Sequence, residues 1–278
     1  MARELSFRTL GQHVSIRCDD AEAAELLAFC FSAIRDSGGG GETGSTPPLT
    51  YLVRRNPFGR IELICPVQRS VECEGWDDVL YALEHDLTVS LQLKRPELLF
   101  IHAAALERSG RAHLLAGASG DGKSTTAWGL LHRGFNYLSD ELSPIDVDTL
   151  CVHPYPRALS LKSLPPTSHP LPAAGVRHLK DTVRIGAEAI PVSGMLLCPI
   201  DSLVFVRHDR LRASPTLRRL SSAEAGARLY TATLNALAHP DQGLDVALRT
   251  ASRMRCFELE AADLTRTCDL FCEQVPVS

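Results

Sequence analysis

Gly117-Ala118-Ser119-Gly120-Asp121-Gly122-Lys123-Ser124 is the stretch on which the reading of the whole chain turns. It fits the pattern G-x-x-x-x-G-K-[S/T], and it has the surroundings that pattern needs: residues 112–116 form an apolar, strand-like run and residues 125–133 a helix-like one. Glycines let such a loop curl until its N–H groups converge on phosphate oxygens at the positive end of the following helix. Lys123 then offers a point charge to the outer phosphates, and the Ser124 hydroxyl offers a ligand for Mg²⁺. The eight residues, with Thr125 opening the helix, are the expected binding site of ATP. Asp121 is out of character in an anion-binding loop, and its side chain is expected to face away from the phosphates.

Downstream, Gly134 is placed to end the helix, and residues 135–139 read as the next strand. A strand–helix–strand crossover returns the chain parallel to the first strand and as its expected neighbour, so the carboxyl end of the new strand lies on the loop's edge of the sheet. That brings Asp140 and Glu141 beside the outer phosphate. Asp140 also reads as a turn cap ahead of Pro144, a position Asp favours. Upstream, two apolar strands flank a glycine-containing turn at 107–111; a hairpin turning near Ser109 sets His102 opposite a residue close to Leu115. His102 then reads either as a core histidine or as a group within reach of the nucleotide.

Working further outward, residues 4–18 alternate like a strand or hairpin, 19–33 read as a capped helix, and 36–48, with four successive glycines, as a mobile loop. Strand-like runs at 49–54 and 60–66 and an amphipathic helix at 77–93 complete a small α+β unit, with a domain boundary near residue 95. The prolines between Pro154 and Pro172 allow only short strands there and mark a substrate-facing loop. A strand at 203–207 and helices at 221–238 and 261–274 follow. No internal repeat is present.

The bulk properties exclude several classes. A net charge of −4 gives no general electrostatic reason to seek nucleic acid or an anionic membrane. No apolar run reaches the length of a membrane span and no secretory pattern is seen, so the cytoplasm is the expected location. The nine cysteines, spread without a C-x-x-C, suit reduced structural thiols better than disulfides or zinc.

The combination of Ile101-His102-Ala103-Ala104, the GASGDGKS loop, Arg133-Gly134 and Tyr137-Leu138-Ser139-Asp140-Glu141 resembles the HPr kinase/phosphorylase superfamily, which shares its nucleotide-binding core with phosphoenolpyruvate carboxykinases. The resemblance covers residues 97–145 well and the remainder of the C-terminal part loosely. It implies an α/β, P-loop kinase domain of HPr kinase / PEP carboxykinase type over residues 96–278, preceded by a small α+β N-terminal domain over 1–95 unlike that of HPr kinase. It also implies roles: Asp140 as the base that takes a proton from a serine hydroxyl, His102 beside the transferred phosphoryl, Lys123 on phosphate, and Ser124, Asp140 and Glu141 around Mg²⁺. Members of the superfamily assemble, which extends the expectation to a homo-oligomer.

One stretch departs from the pattern. Where HPr kinase carries a glycine-rich signature with a metal-binding glutamate, this chain has Pro156-Arg157-Ala158-Leu159-Ser160-Leu161-Lys162. The stretch resembles the related kinases found beside peptide-modification genes, including those acting on lasso-peptide precursors, so reverse phosphorolysis is not expected. Arg157 and Lys162 read equally as groups that neutralise phosphate or a peptide carboxylate and as solvated loop charges. The leading expectation is an ATP- and Mg²⁺-dependent kinase acting on a serine or threonine of a peptide or small protein. Phosphorylation of a small-molecule hydroxyl, and a nucleotide-regulated binding module without transfer, stand beside it.

Overall fold

A computed structural model describes residues 3–34, 47–66, 70–209 and 211–275. The expected mobile loop at 36–48 falls almost wholly outside them. The chain divides into two compact units, residues 1–95 and 96–278.

In the first unit, β1 (Arg3–Thr9) and β2 (Gln12–Cys18) form a hairpin whose turn places Leu10 and Gly11 at positive φ. Helix α1 (Ala21–Phe31) starts where the Asp20 carboxylate accepts the N–H groups of Glu22 and Ala23, the capping its acidic opening announced. Strands β3 (Leu49–Arg55), β4 (Ile61–Ile64) and β5 (Val71–Cys73) extend the sheet in the order β1-β2-β3-β4-β5, with β2 and β3 parallel. Helix α2 (Trp76–Lys94) follows.

The second unit is a mixed α/β assembly of two sheets. Its strands are β6 (Leu99–Ile101), β7 (Ala103–Arg108), β8 (Arg111–Ala116), β9 (Asn136–Ser139), β10 (Ser143–Asp146), β11 (Cys151–Val152), β12 (Leu159–Leu161), β13 (Val176–His178), β14 (Val183–Ile185), β15 (Cys198–His208), β16 (Thr216–Arg219) and β17 (Arg255–Ala261). Helices α3 (Lys123–Leu131), α4 (Ser222–Ala232), α5 (Leu244–Ser252) and α6 (Leu264–Gln274) accompany them. The long strand β15 organises the larger sheet: its first residues pair with β11, and its remainder runs parallel to β8 on one side and β17 on the other. From β8 the sheet continues to β7 and then β9, both pairings antiparallel.

That order corrects one expectation. Strand β9 points the same way as β8 but is not its neighbour, because β7 lies between them. The hairpin β7–β8, closed by Ser109 and Gly110 at positive φ, pairs strand to strand before the crossover arrives and occupies the edge beside β8. The consequence for the site is small, since three chain ends still meet at one edge: the end of β8, the start of β7 and the end of β9.

Helix α3 ends as its sequence indicated. Gly134 takes φ 82, its N–H donates to Leu131 O at 3.2 Å, and Phe135 N–H donates to Leu130 O at 3.3 Å, so two orphan carbonyls of the last turn are satisfied. The helix begins two residues earlier than expected, which puts Lys123 and Ser124 in its first turn. The expected helix at 221–238 stops at Ala232, with 3₁₀ turns beyond, and the one at 261–274 starts at Leu264, capped by Asp263 accepting from Arg266 N–H. All nine cysteines are free.

Helix α3 lies against α6 through Gly129, where a Cβ would stand 2.5 Å from Cys268 Sγ and 2.8 Å from a Leu264 methyl. The helix that carries the loop is therefore seated by a residue without a side chain. Gly129→Val is expected to lower stability by about 1–3 kcal/mol, read as an earlier urea unfolding midpoint; a midpoint equal to the parent's would show that this contact does not seat α3.

Candidate functional site

The loop 117–122 leaves the carboxyl end of β8 beside the end of its parallel neighbour β15, a place where α/β sheets commonly bind ligands. Two glycines are required there. At Gly117 a Cβ would lie 2.5 Å from Val206 O, and at Gly122, φ 87, it would press on the His208 side chain. Within α3 the first backbone bond runs from Thr126 N–H to Gly122 O at 2.8 Å. Among the described residues, the N–H groups of Gly122, Lys123, Ser124 and Thr125 have no acceptor within the chain. Four such donors at a helix N-terminus fit an anion.

Lys123 is only 6% exposed, and its Nζ donates to Gly117 O at 2.9 Å and Ala118 O at 3.0 Å. The side chain thus lies back along its own loop. Burial pulls its pKa below the ordinary lysine value, against the opposing pull of Asp140, Glu141 and Asp121. The Asp121 carboxylate turns inward on the loop: Oδ2 accepts the Ala118 N–H at 2.7 Å and closes the first bend.

Asp140 stands at the end of β9. Its carboxylate accepts the Ser124 hydroxyl at 3.0 and 3.1 Å and the Ser160 N–H at 3.2 Å. Both partners are remote in sequence, so Asp140 does not serve as a local turn cap. Burial, followed by the charge of Glu141, raises its pKa to about 6, and the two hydrogen bonds and Arg157 reduce that rise.

Glu141, next along, adopts φ 68 and directs its carboxylate to Arg157, whose Nη2 donates at 3.4 Å. Burial alone would raise its pKa, but Arg157, Arg184 and His102 outweigh it and hold the carboxyl below the usual range. The turn is braced by the Ser143 hydroxyl, which meets the Ser139 hydroxyl at 3.1 Å and donates to Ala103 O at 2.9 Å.

His102 and Lys162 face a cleft with a volume of about 300 Å³, lined by His102, Ser119, Gly120, Gly122, Lys123, Ser124, Thr125, Glu141, Ser160, Lys162 and Ser163, while Asp140 and Arg157 lie buried outside that lining. Since Ala103 pairs with Ala116, His102 lies just beyond the hairpin, level with Gly117 rather than Leu115. Burial, then Lys123, lowers its pKa, so the imidazole is neutral at pH 7. Lys162 is exposed and donates to Ser119 Oγ. Arg157 is buried at 4% exposure, which decides against a solvated loop charge in its case.

Two contributors escaped the sequence reading. Ser160, in the proline-rich stretch, supplies a backbone donor to Asp140; Arg184, on β14, helps hold Glu141 ionised. The parallel bridge between Ser139 and Tyr155, with Tyr155 N–H donating to Leu138 O at 2.9 Å, carries that stretch to the end of β9. No spacing within the sequence announces such a contact.

No family model matches the chain, and no curated protein does. A solved structure of the Hpr(Ser) kinase/phosphatase from Coxiella burnetii is similar over 44% of this chain and 76% of that one, with 15% sequence identity and a TM-score of 0.27. A likeness of that size decides neither fold nor function. Among the described residues, no helix is long and apolar enough to cross a membrane.

The raised pKa of Asp140 has a consequence for stability. The folded protein holds this proton up to about pH 6, whereas an aspartate in the unfolded chain releases it near 3.8. Stability is therefore fully present below about pH 4 and is lost as the pH rises through 6. Asp140→Asn removes that loss, so the variant should exceed the parent by on the order of 1–3 kcal/mol at pH 7.5 and match it near pH 4. Urea titrations at both pH values check this; a variant less stable than the parent by the same amount at both would refute it.

Proposed function

We propose that the chain is an ATP- and Mg²⁺-dependent kinase that transfers the γ-phosphoryl group to a serine or threonine hydroxyl of a peptide or small protein. The supporting observation is the meeting of Ser124, in the first turn of α3, with the Asp140 carboxylate at 3.0 Å, above four unengaged backbone N–H groups. A hydroxyl and an anion cradle thus line the cleft, with the buried Asp140 carboxylate bonded to that hydroxyl from behind the lining.

In this reading the N–H groups of residues 122–125 bind the phosphate chain, and Lys123 leaves its loop carbonyls for phosphate oxygens. Ser124 and Asp140 would hold Mg²⁺, which supplies charge neutralisation along the phosphates. Asp140 accepts the proton of the attacking hydroxyl; the new bond joins that oxygen to the γ-phosphorus as the bond to the β–γ bridging oxygen breaks, and ADP leaves. Neutral His102 lies at the cleft as a hydrogen-bonding partner for the transferred group. Glu141, engaged by Arg157, fixes the charge balance beside Asp140 rather than offering itself to Ser124.

A second reading, a nucleotide-regulated binding module without transfer, gains from the same Glu141–Arg157 contact, because a glutamate engaged by arginine is withdrawn from the Ser124 hydroxyl and the Asp140 carboxylate that meet at the loop. The two readings separate by assay. With magnesium ATP and serine peptides, the kinase gives a mass gain of one phosphate. Asp140→Asn should lower turnover by about 10²–10⁴-fold with ATP binding retained, and Lys123→Ala should weaken binding and turnover together. Tight ATP binding with no transfer to any peptide or small-molecule hydroxyl would favour the module.

A further inference from the structure

The lining of the cleft has two sources. One part is the phosphate loop with the first turn of α3; the other comes from His102, Glu141 and the segment that supplies Ser160, Lys162 and Ser163. Lys162 contributes an ammonium from the second part. It follows directly on β12, whose Leu159 and Leu161 are buried in one apolar cluster with Ala127, Leu130 and Leu131 of α3. The strand before it is therefore seated on the helix that carries the loop, while the exposed lysine keeps a flexible four-carbon stem.

The Lys162 head reaches the tip of the loop, where Nζ donates to Ser119 Oγ. Its charge is felt in both parts of the lining: it lowers the pKa of His102 and that of Lys123, in each case by less than burial does. An ammonium held by a neutral hydroxyl is easily won by an anion, because a hydrogen bond between two charged groups is roughly twice as strong. The head already meets water, so changing partners does not require a buried charge to be exposed. Lys123, by contrast, is buried and lies back along the loop carbonyls. Two ammonium groups thus approach one cleft from different elements, and Lys162 does so in the company of His102, the residue beside the transferred group.

We infer that Lys162 is a second phosphate-binding cation, which leaves Ser119 when a nucleotide fills the loop and closes on the terminal phosphate, so that the site distinguishes nucleoside triphosphates from diphosphates. This rests on the reading of the loop as an ATP site. A cradle of backbone N–H groups binds phosphates that ATP and ADP share, whereas a cation on the far phosphate finds its partner in ATP alone. The same contact faces the oxygens over which charge spreads during phosphoryl transfer.

Displacement of a fluorescent ADP analogue by ADP or by a non-hydrolysable ATP analogue, with magnesium present, reads that distinction directly. The parent should prefer the triphosphate. Lys162→Met, which keeps the stem and removes the charge, should weaken the triphosphate about tenfold and leave ADP binding unchanged, whereas Lys162→Arg should retain the preference. Lys180→Met, at an exposed lysine in the turn between β13 and β14, should behave as the parent does. Equal weakening of both nucleotides by Lys162→Met, or weakening of neither, would overturn the inference. Binding of neither nucleotide by the parent would overturn it together with the proposed function. Loss of the triphosphate preference in Lys162→Met, from a protein that phosphorylates no hydroxyl, would support the inference and count against the kinase.

Discussion

Asp140 is a carboxylate taken out of water and left with two donors, the Ser124 hydroxyl and the Ser160 N–H, and the site is arranged around that condition. Removing a carboxylate from water is costly unless hydrogen bonds or opposite charge compensate, and here the compensation is partial, since Glu141 adds a like charge. The protein answers by fixing everything near it. The Ser139–Ser143 pair braces the turn, Arg157 holds Glu141, and the Tyr155 bridge carries Ser160 into place. A carboxyl whose pKa is raised to about 6 is the chemical product of that compromise.

The sheet makes the convergence possible. The loop follows the end of β8, His102 precedes the start of β7, and Asp140 follows the end of β9; because β7 is antiparallel to both flanking strands, all three fall on one edge. The intervening strand does not separate loop from carboxylate. It adds His102 to their company, an outcome that a neighbouring pair of parallel strands would not have produced.

What the sequence disclosed was local, and what it withheld was long-range. The loop, the turn at Ser109-Gly110, the ending of α3 at Gly134 and the capping of α1 by Asp20 each depend on a few consecutive residues, and each stands in the structure with shifts of a residue or two. The place of β7 between β8 and β9, the three parallel strands β8, β15 and β17, and the helix α5 depend on partners far along the chain, and none was anticipated. Within the site, Asp140 was legible because it follows the crossover at once. Ser160 and Arg184 were not, since their roles come from a sheet of three-residue strands with no periodicity to read. Arg157 was visible as a charge, but its burial against Glu141 was not.

The most direct test is a crystal structure of the protein with magnesium and a non-hydrolysable ATP analogue. The account requires phosphate oxygens on the N–H groups of residues 122–125, the Lys123 ammonium transferred from the Gly117 and Ala118 carbonyls to the phosphates, and the Asp140 carboxylate facing the terminal phosphate across the cleft. A nucleotide bound elsewhere, or bound at the loop with Asp140 turned away and still shut in by Ser124 and Ser160, would contradict it.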